Sequence, residues 1–149
     1  MPLFTIRRLG PGDEAALAGL SADETDFTGE DPTPPLPPDA ARAYLSDPLL
    51  WHWHAEDDHG QPVGFLMAYV HRRRHGEALD VMFEEIGVRE SWRRFGVGRA
   101  LVAALHEQMR AGGIRGVWVA ADNEDAQAFY LACGYEVDEL QGVILSRCV

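Results

Sequence analysis

The stretch Ile86-Gly87-Val88-Arg89-Glu90-Ser91-Trp92-Arg93-Arg94-Phe95-Gly96-Val97-Gly98-Arg99-Ala100-Leu101 constrains this chain more than any other. An apolar segment reads as a strand, a short basic turn with two glycines follows, and an amphipathic helical pattern begins. Such a turn leaves backbone N–H groups pointing outward beside a helix N-terminus, which carries partial positive charge, and that combination binds phosphate. Arg93, Arg94 and Arg99 add charge, and Gly96 and Gly98 let a ligand approach the backbone. Two common phosphate loops are excluded. A Walker A loop needs Gly-Lys-Ser/Thr, and the chain contains no lysine; a dinucleotide fingerprint needs a third glycine where Leu101 stands.

A second segment, Asp122 to Tyr135, reads as a short helix. Asn123 or Asp122 caps its start, acids fill the first turn, and Gly134 stops it. Ala126, Phe129, Tyr130 and Cys133 recur at helical spacing and share a face.

The rest of the pattern alternates between strand and helix. Residues 3–8 read as a strand and 13–20 as a helix. Five prolines between 28 and 38 predict an extended loop, either a lid over a site or a passive linker. A short helix is expected from Asp39 to Ser46. Residues 50–56 and 62–71 read as a hairpin turning at 57–60, and 79–88 as the next strand. The helix from about 97 to 111 presents Val97, Ala100, Leu101, Ala104, Leu105 and Met109 on one face. Residues 116–121 read as a strand, and 135–139 with 142–147 as a closing hairpin turning near Gln141-Gly142. The expected fold is one α/β (α+β) domain over 1–149, a mixed, largely antiparallel sheet with helices on both faces.

The chain carries a net charge of -11 over 149 residues. Twelve acidic and three basic side chains fall in residues 1–60, and twelve and ten in the remainder. So acidic a surface disfavours nucleic acid and attracts cations. No apolar run approaches the ~20 residues of a membrane span, and the start does not read as a signal peptide. Cys133 and Cys148 lack metal-ligand spacing and are expected to be reduced thiols in a cytoplasmic protein, with Cys133 facing the core. His52 and His54 alternate with Trp51 and Trp53. With no third ligand nearby, a strand with one apolar face is favoured over a metal pair, and no metal is expected. His71-Arg72-Arg73-Arg74-His75-Gly76 is read as a solvated hairpin tip rather than an anion site or subunit contact.

Arg93-x-x-Gly96-x-Gly98 resembles the R/Q-x-x-G-x-G/A signature of the GNAT superfamily of N-acetyltransferases, and Asn123-x-x-Ala126-x-x-Phe129-Tyr130 with Gly134-Tyr135 resembles its second motif. The resemblance covers nearly the whole chain and is strongest from about 62 to 135. It implies acetyl-CoA as cosubstrate. The pyrophosphate would rest on Arg93, Arg94, Phe95, Gly96, Val97, Gly98 and Arg99. The pantetheine arm would lie along Ile86 and Val88, with Asn123 and Ala126 beside it. The main-chain N–H of Val88 or Ile86 would polarise the thioester oxygen.

Amide formation from a thioester needs a neutral amine, an activated carbonyl and a proton for the departing thiolate. Glu84 and Glu85 lie just upstream of the phosphate turn, and adjacent strand residues point to opposite faces, so only one should reach the acceptor. The segment resembles the Y-[DE]-[IL]-x-V strand of the aminoglycoside (gentamicin) 3-N-acetyltransferase branch. On that match Glu85 is the expected base, with Glu84 binding the cationic acceptor or facing away. Tyr130 occupies the position of the tyrosine that protonates the thiolate in many GNAT enzymes. The expected activity is acetylation of a small cationic amine, with an aminoglycoside as one candidate, by direct attack. A peptide or protein amine, or acyl-CoA sensing without turnover, are the alternatives. A homodimer is compatible with the pattern.

Overall fold

The computed structural model describes residues 2–139 and 144–149. Among these residues five strands form one sheet in the order β1-β2-β3-β4-β5: β1 (Thr5–Arg8), β2 (Leu50–Glu56), β3 (Pro62–Arg72), β4 (Leu79–Val88) and β5 (Val117–Val119). The first four pair antiparallel, and β5 joins β4 in parallel. The helices are α1 (Glu14–Ala22), α2 (Glu24–Thr28), α3 (Pro38–Ser46), α4 (Val97–Ala111) and α5 (Glu124–Ala132), and a 3-10 turn covers Glu90–Trp92.

Both faces of the sheet are covered. Alternation places Trp51, Trp53, Leu66, Ala68 and Val70 on the face that packs against α4, which buries Val97, Leu101, Val102, Leu105 and Met109. The helix buries Val102 where Ala100 and Ala104 were expected, because the larger side chain reaches the sheet and the alanines stay at the margin. On the opposite face Phe65 meets Leu20 of α1 and Phe27 of α2. Two glycines permit close approach from either side. A Cβ on Gly64 would lie 2.8 Å from the Val97 side chain, and one on Gly87 would lie 2.6 Å from the Phe65 ring and 3.1 Å from the Phe27 backbone.

Several expectations change. The proline-rich loop is found nearly as expected, over residues 29–37, but the stretch before it, for which no element was expected, holds α2 at Glu24–Thr28, which ends on Gly29 at φ 82°. Helix α3 begins at Pro38, where the missing N–H is harmless. Strand β5 holds three residues rather than six. His52 and His54 do not face solvent; they are 4% and 0% exposed, buried on the Phe65 face. Of the closing hairpin, the turn at Gln141-Gly142 lies outside the described residues. The described parts, 135–139 and 144–147, carry no strand, and Ile144 and Leu145 stay 88% and 87% exposed. Apolar alternation supplies one face but not a ladder partner. Residues 73–78 form the exposed tip between β3 and β4, closed by Arg73 N–H donating to Ala78 and by an Arg73–Asp80 ion pair at 3.2 Å.

Candidate active site

The site opens where β4 and β5 part. Their pairing covers only Val81↔Val117, Met82↔Trp118 and Phe83↔Val119. Beyond Phe83 the strands diverge, and a cleft of about 950 Å³ runs from the β4 main chain to α4 and α5. A β-bulge at Glu84 sets which groups face it, since Met67 pairs with Glu85 while Ala68 pairs with Phe83. Before the bulge, the Val81 N–H donates toward β5, to Gly116; after it, the Arg89 N–H donates toward β3, to Val63. Alternation between these points turns the main-chain groups of Ile86 and Val88 toward the cleft.

The basic turn closes one end. Arg94 has φ 67° and Gly96 φ 84°, so the backbone curls and its N–H groups converge. Gly96 caps α4 without a side-chain cap, and no acid occupies the first turn. The Ala100 N–H returns to Gly96, which leaves Val97, Gly98 and Arg99 as the N–H groups without an i−4 partner in the helix. Arg93 folds back, its Nε donating to the Val88 carbonyl at 3.1 Å. Phe95 is 38% exposed beside the turn. The two glycines have different tasks. Gly96 supplies the left-handed conformation, whereas Gly98 makes room for α5: a Cβ there would lie 3.1 Å from the Phe129 ring.

Helix α5 forms the opposite wall. Asn123 is its N-cap, accepting from the Ala126 N–H at 2.8 Å, while its own Nδ2 donates to Asp122 at 3.0 Å. Its amide is therefore engaged by the protein, and a pantetheine amide would have to compete with these bonds. Tyr130 lines the cleft and packs edge-on against Phe83 at 5.4 Å. Burial holds its hydroxyl above the usual phenol range. Cys133 packs against the core, and both cysteines are free thiols.

A smaller cavity of about 280 Å³ lies on the other side of β4, enclosed by α1, α2, α3 and the proline-rich loop. Four carboxylates line it: Glu14, Glu24, Glu30 and Glu85. No arginine does, among the described residues. Leu17, Leu36 and Phe65 give it apolar walls, and Tyr44 donates to or accepts from His52 Nδ1 at 2.8 Å at its base. Glu85 and Glu30 border both cavities, whereas Glu84 borders only the larger cleft. Partial burial, then the charges of Glu24, Glu84 and Glu30, push the Glu85 carboxyl up to about 7. Its charge in turn holds the Tyr44 hydroxyl proton more tightly, after burial as the main cause. The paired acids thus do not simply alternate. The bulge absorbs Glu84, keeps Phe83 in the core and aims Glu85 at the smaller cavity.

The turn, Asn123 and Tyr130 were marked by the two motifs; the parting of β4 and β5 was not. Glu14, Glu24, Glu30 and Tyr44 were not, since they come from three helices and a loop with no common spacing. Their one signal was the acidic excess of residues 1–60.

The acetyltransferase (GNAT) family model matches residues 17–135. No curated protein matches the chain in sequence. Among solved structures, an aminoglycoside acetyltransferase from an uncultured soil metagenomic sample, in complex with trehalose, superposes with a TM-score of 0.81 at 22% identity, over 98% of this chain and 96% of the other. Aminoglycoside N-acetyltransferase AAC(6')-Iy in complex with CoA gives 0.75 at 24% identity, over 99% and 97%. A ribosomal-protein-alanine N-acetyltransferase from Brucella melitensis biovar Abortus gives 0.74 at 20% identity, over 97% and 100%. These likenesses establish the fold, and the family match covers the larger cleft and all of the smaller cavity's lining except Glu14. The chain belongs to the acetyltransferase (GNAT) family and is an acetyl-CoA-dependent N-acetyltransferase.

Proposed function

We propose that the chain moves the acetyl group of acetyl-CoA to a primary amine of a small polycationic acceptor of the aminoglycoside class. The observation that carries this reading is the place of Glu85, at the junction between the cleft with the phosphate turn and the cavity lined by acids. A carboxyl whose pKa is near 7 takes a proton from an ammonium more readily than an ordinary one. The reacting amine must be neutral when it attacks, so it cannot balance Glu14, Glu24 and Glu30. Those charges call for further ammonium groups on the same acceptor. The structural neighbours include an aminoglycoside acetyltransferase in complex with sisomicin, and the neighbours named by position act at 6′ rather than 3.

In this reading the cosubstrate's diphosphate rests on the N–H groups of residues 96–99 and its arm follows Ile86 and Val88. One of those two N–H groups polarises the thioester carbonyl. The amine enters from the acidic cavity and gives its proton to Glu85, and its nitrogen bonds to the acetyl carbon. The carbon–sulfur bond breaks, Tyr130 supplies the proton to sulfur, and the second proton on the new amide nitrogen passes to the Tyr130 phenolate and restores the phenol. The setting is the cytoplasm, and the consequence is inactivation of an antibiotic.

Free thiol release measured with sisomicin, neamine and an alanine-ended peptide tests the reading. Turnover of the first two and not the peptide is expected, with Tyr130→Phe lowering kcat by about 10²-fold. Turnover of the peptide alone favours a protein acceptor. Acetyl-CoA binding without turnover of any amine favours a sensor.

A further inference from the structure

Helix α2 has five residues, too few to hold itself together in water, yet it walls both cavities. Glu24 at its start faces the acidic cavity, Phe27 and Thr28 face the larger cleft, and Glu30 just beyond borders both. Phe27 anchors it, packing edge-on to Phe65 at 5.7 Å over the bare surface of Gly87. One buried ring fixes the depth of a helix but not its rotation. Rotation is fixed from outside, by a residue that no motif marks. Arg89, the first residue past β4, donates Nε to the Pro62 carbonyl at 2.7 Å. Its two terminal nitrogens donate to Asp26 at 3.0 Å and Asp23 at 2.8 Å, one helical turn apart. The guanidinium carbon lies 4.4 Å over the Phe27 ring. The second oxygen of Asp26 accepts from the Glu90 N–H at 3.1 Å, at the head of the turn leading to Arg93.

We propose that Arg89 is a positioning residue: its forked side chain fastens α2 to the end of β4 and so holds Glu24 and Glu30 in the wall of the acceptor cavity. The assignment of that cavity rests on the function proposed above. Five donors in a rigid plane reach two carboxylates, a carbonyl and a ring at once, which a lysine cannot do. Were this only a surface ion pair, its removal would change little.

The test uses the full chain with Arg89→Gln, Arg89→Lys and the double variant Asp23→Asn/Asp26→Asn, the last retaining the Pro62 bond and the Phe27 stacking should Arg89→Gln fail to fold. Two readouts need no acceptor. Hydrogen exchange of the Phe27 and Gly29 amides, which close α2, is expected to speed by about tenfold or more while β3 and β4 amides hold. The Glu85 titration, followed by carbon-13 NMR, is expected to fall by about half a pH unit or more as Glu24 and Glu30 swing away. With sisomicin as the acceptor, KM is expected to rise by about tenfold with kcat and CoA affinity within about threefold, and lysine to restore only part of it. Unchanged exchange overturns the proposal. So does faster exchange with the Glu85 titration fixed, or a loss of KM, kcat and CoA affinity together in step with melting temperature. If the parent turns over no amine, the proposed function fails while exchange and titration still decide the role of Arg89.

Discussion

The two sides of Glu85 are built in different ways. The side proposed to hold the cosubstrate consists mostly of main chain: parted strand edges, a turn with two positive-φ residues and a helix start without a side-chain cap, contributed largely by residues 86–99. The side proposed to hold the acceptor consists mostly of side chains from α1, α2, α3 and a proline-rich loop, gathered over the sheet. Backbone binding tolerates many sequences so long as the conformation is kept, whereas side-chain binding changes with each substitution. One fold can therefore keep its acetyl donor and vary its acceptor.

The sharpest way to break this comparison is to change Glu85, a carboxyl that borders both sides. Glu85→Gln keeps the shape of the side chain and removes the proposed base. It is expected to lower kcat by about 10²- to 10⁴-fold while CoA affinity, read by calorimetry, stays within about twofold. The parent should show a kcat/KM that rises with pH through about 7, where Glu85 loses its proton, and the variant should lose that limb. A parent profile with no limb near neutrality would remove Glu85 from the base role. Comparable losses in CoA affinity and in kcat would mean that the two sides are not separable.

The same contrast governs what could be read from the sequence. Residues 86–101 carried the geometry of the larger cleft in local order, because a strand, a two-glycine turn and a helix start follow one another along the chain. The elements from β2 to α4 were likewise legible, since their apolar periods match the faces they bury. Helix α2 was not, because Glu-Thr-Asp-Phe-Thr has weak helical propensity and is held by Arg89, more than sixty residues away. The bulge at Glu84 was hidden for a related reason: it is a property of the β3–β4 register, not of β4 alone. The acid cluster around Glu85 was visible only as excess charge, because its members meet in space and not in sequence.

A milder break falls on the cosubstrate side. Gly96→Ala adds a Cβ that meets nothing within 4 Å, so sterics against neighbours are no obstacle. The strain is in the backbone, where φ is 84° and an L-residue loses about 1–2 kcal/mol. If the turn relaxes, its N–H groups no longer converge, and CoA affinity is expected to fall by about tenfold with acceptor KM little changed. A fall in melting temperature with unchanged CoA affinity would show that the fold, not the turn, absorbs the strain.

The smallest expected effect lies beneath the acceptor side, at His52 and His54. Their rings lie 5.1 Å apart, and His52 Nε2 and both nitrogens of His54 are buried with no hydrogen-bond partner among the described residues. Burial, the largest cause, holds His52 down to about 3 and His54 to about 4, below the ordinary 6.5. The unfolded chain therefore binds more protons than the folded one between about 4 and 6.5, and stability falls as pH drops through that window. Glu85 acts in the opposite sense, since its raised value makes the folded chain the better proton acceptor between 4.5 and about 7. Between about 4.5 and 7 one carboxyl thus opposes two imidazoles, and at lower pH the imidazoles are joined by Asp26, held below its usual range by the Glu90 N–H and Arg89, and by Asp13, held down against its partial burial by the Gly10 N–H and Arg7. His54→Leu removes one imidazole and two unpaired nitrogens while filling most of the space. It is expected to raise stability at neutral pH by about 1 kcal/mol and to flatten the loss on acidification, both read from melting curves across the pH range. An acid limb as steep as the parent's would show that His54 does not hold its neutral form in the fold, and that the acceptor-side floor is wetter than its burial implies.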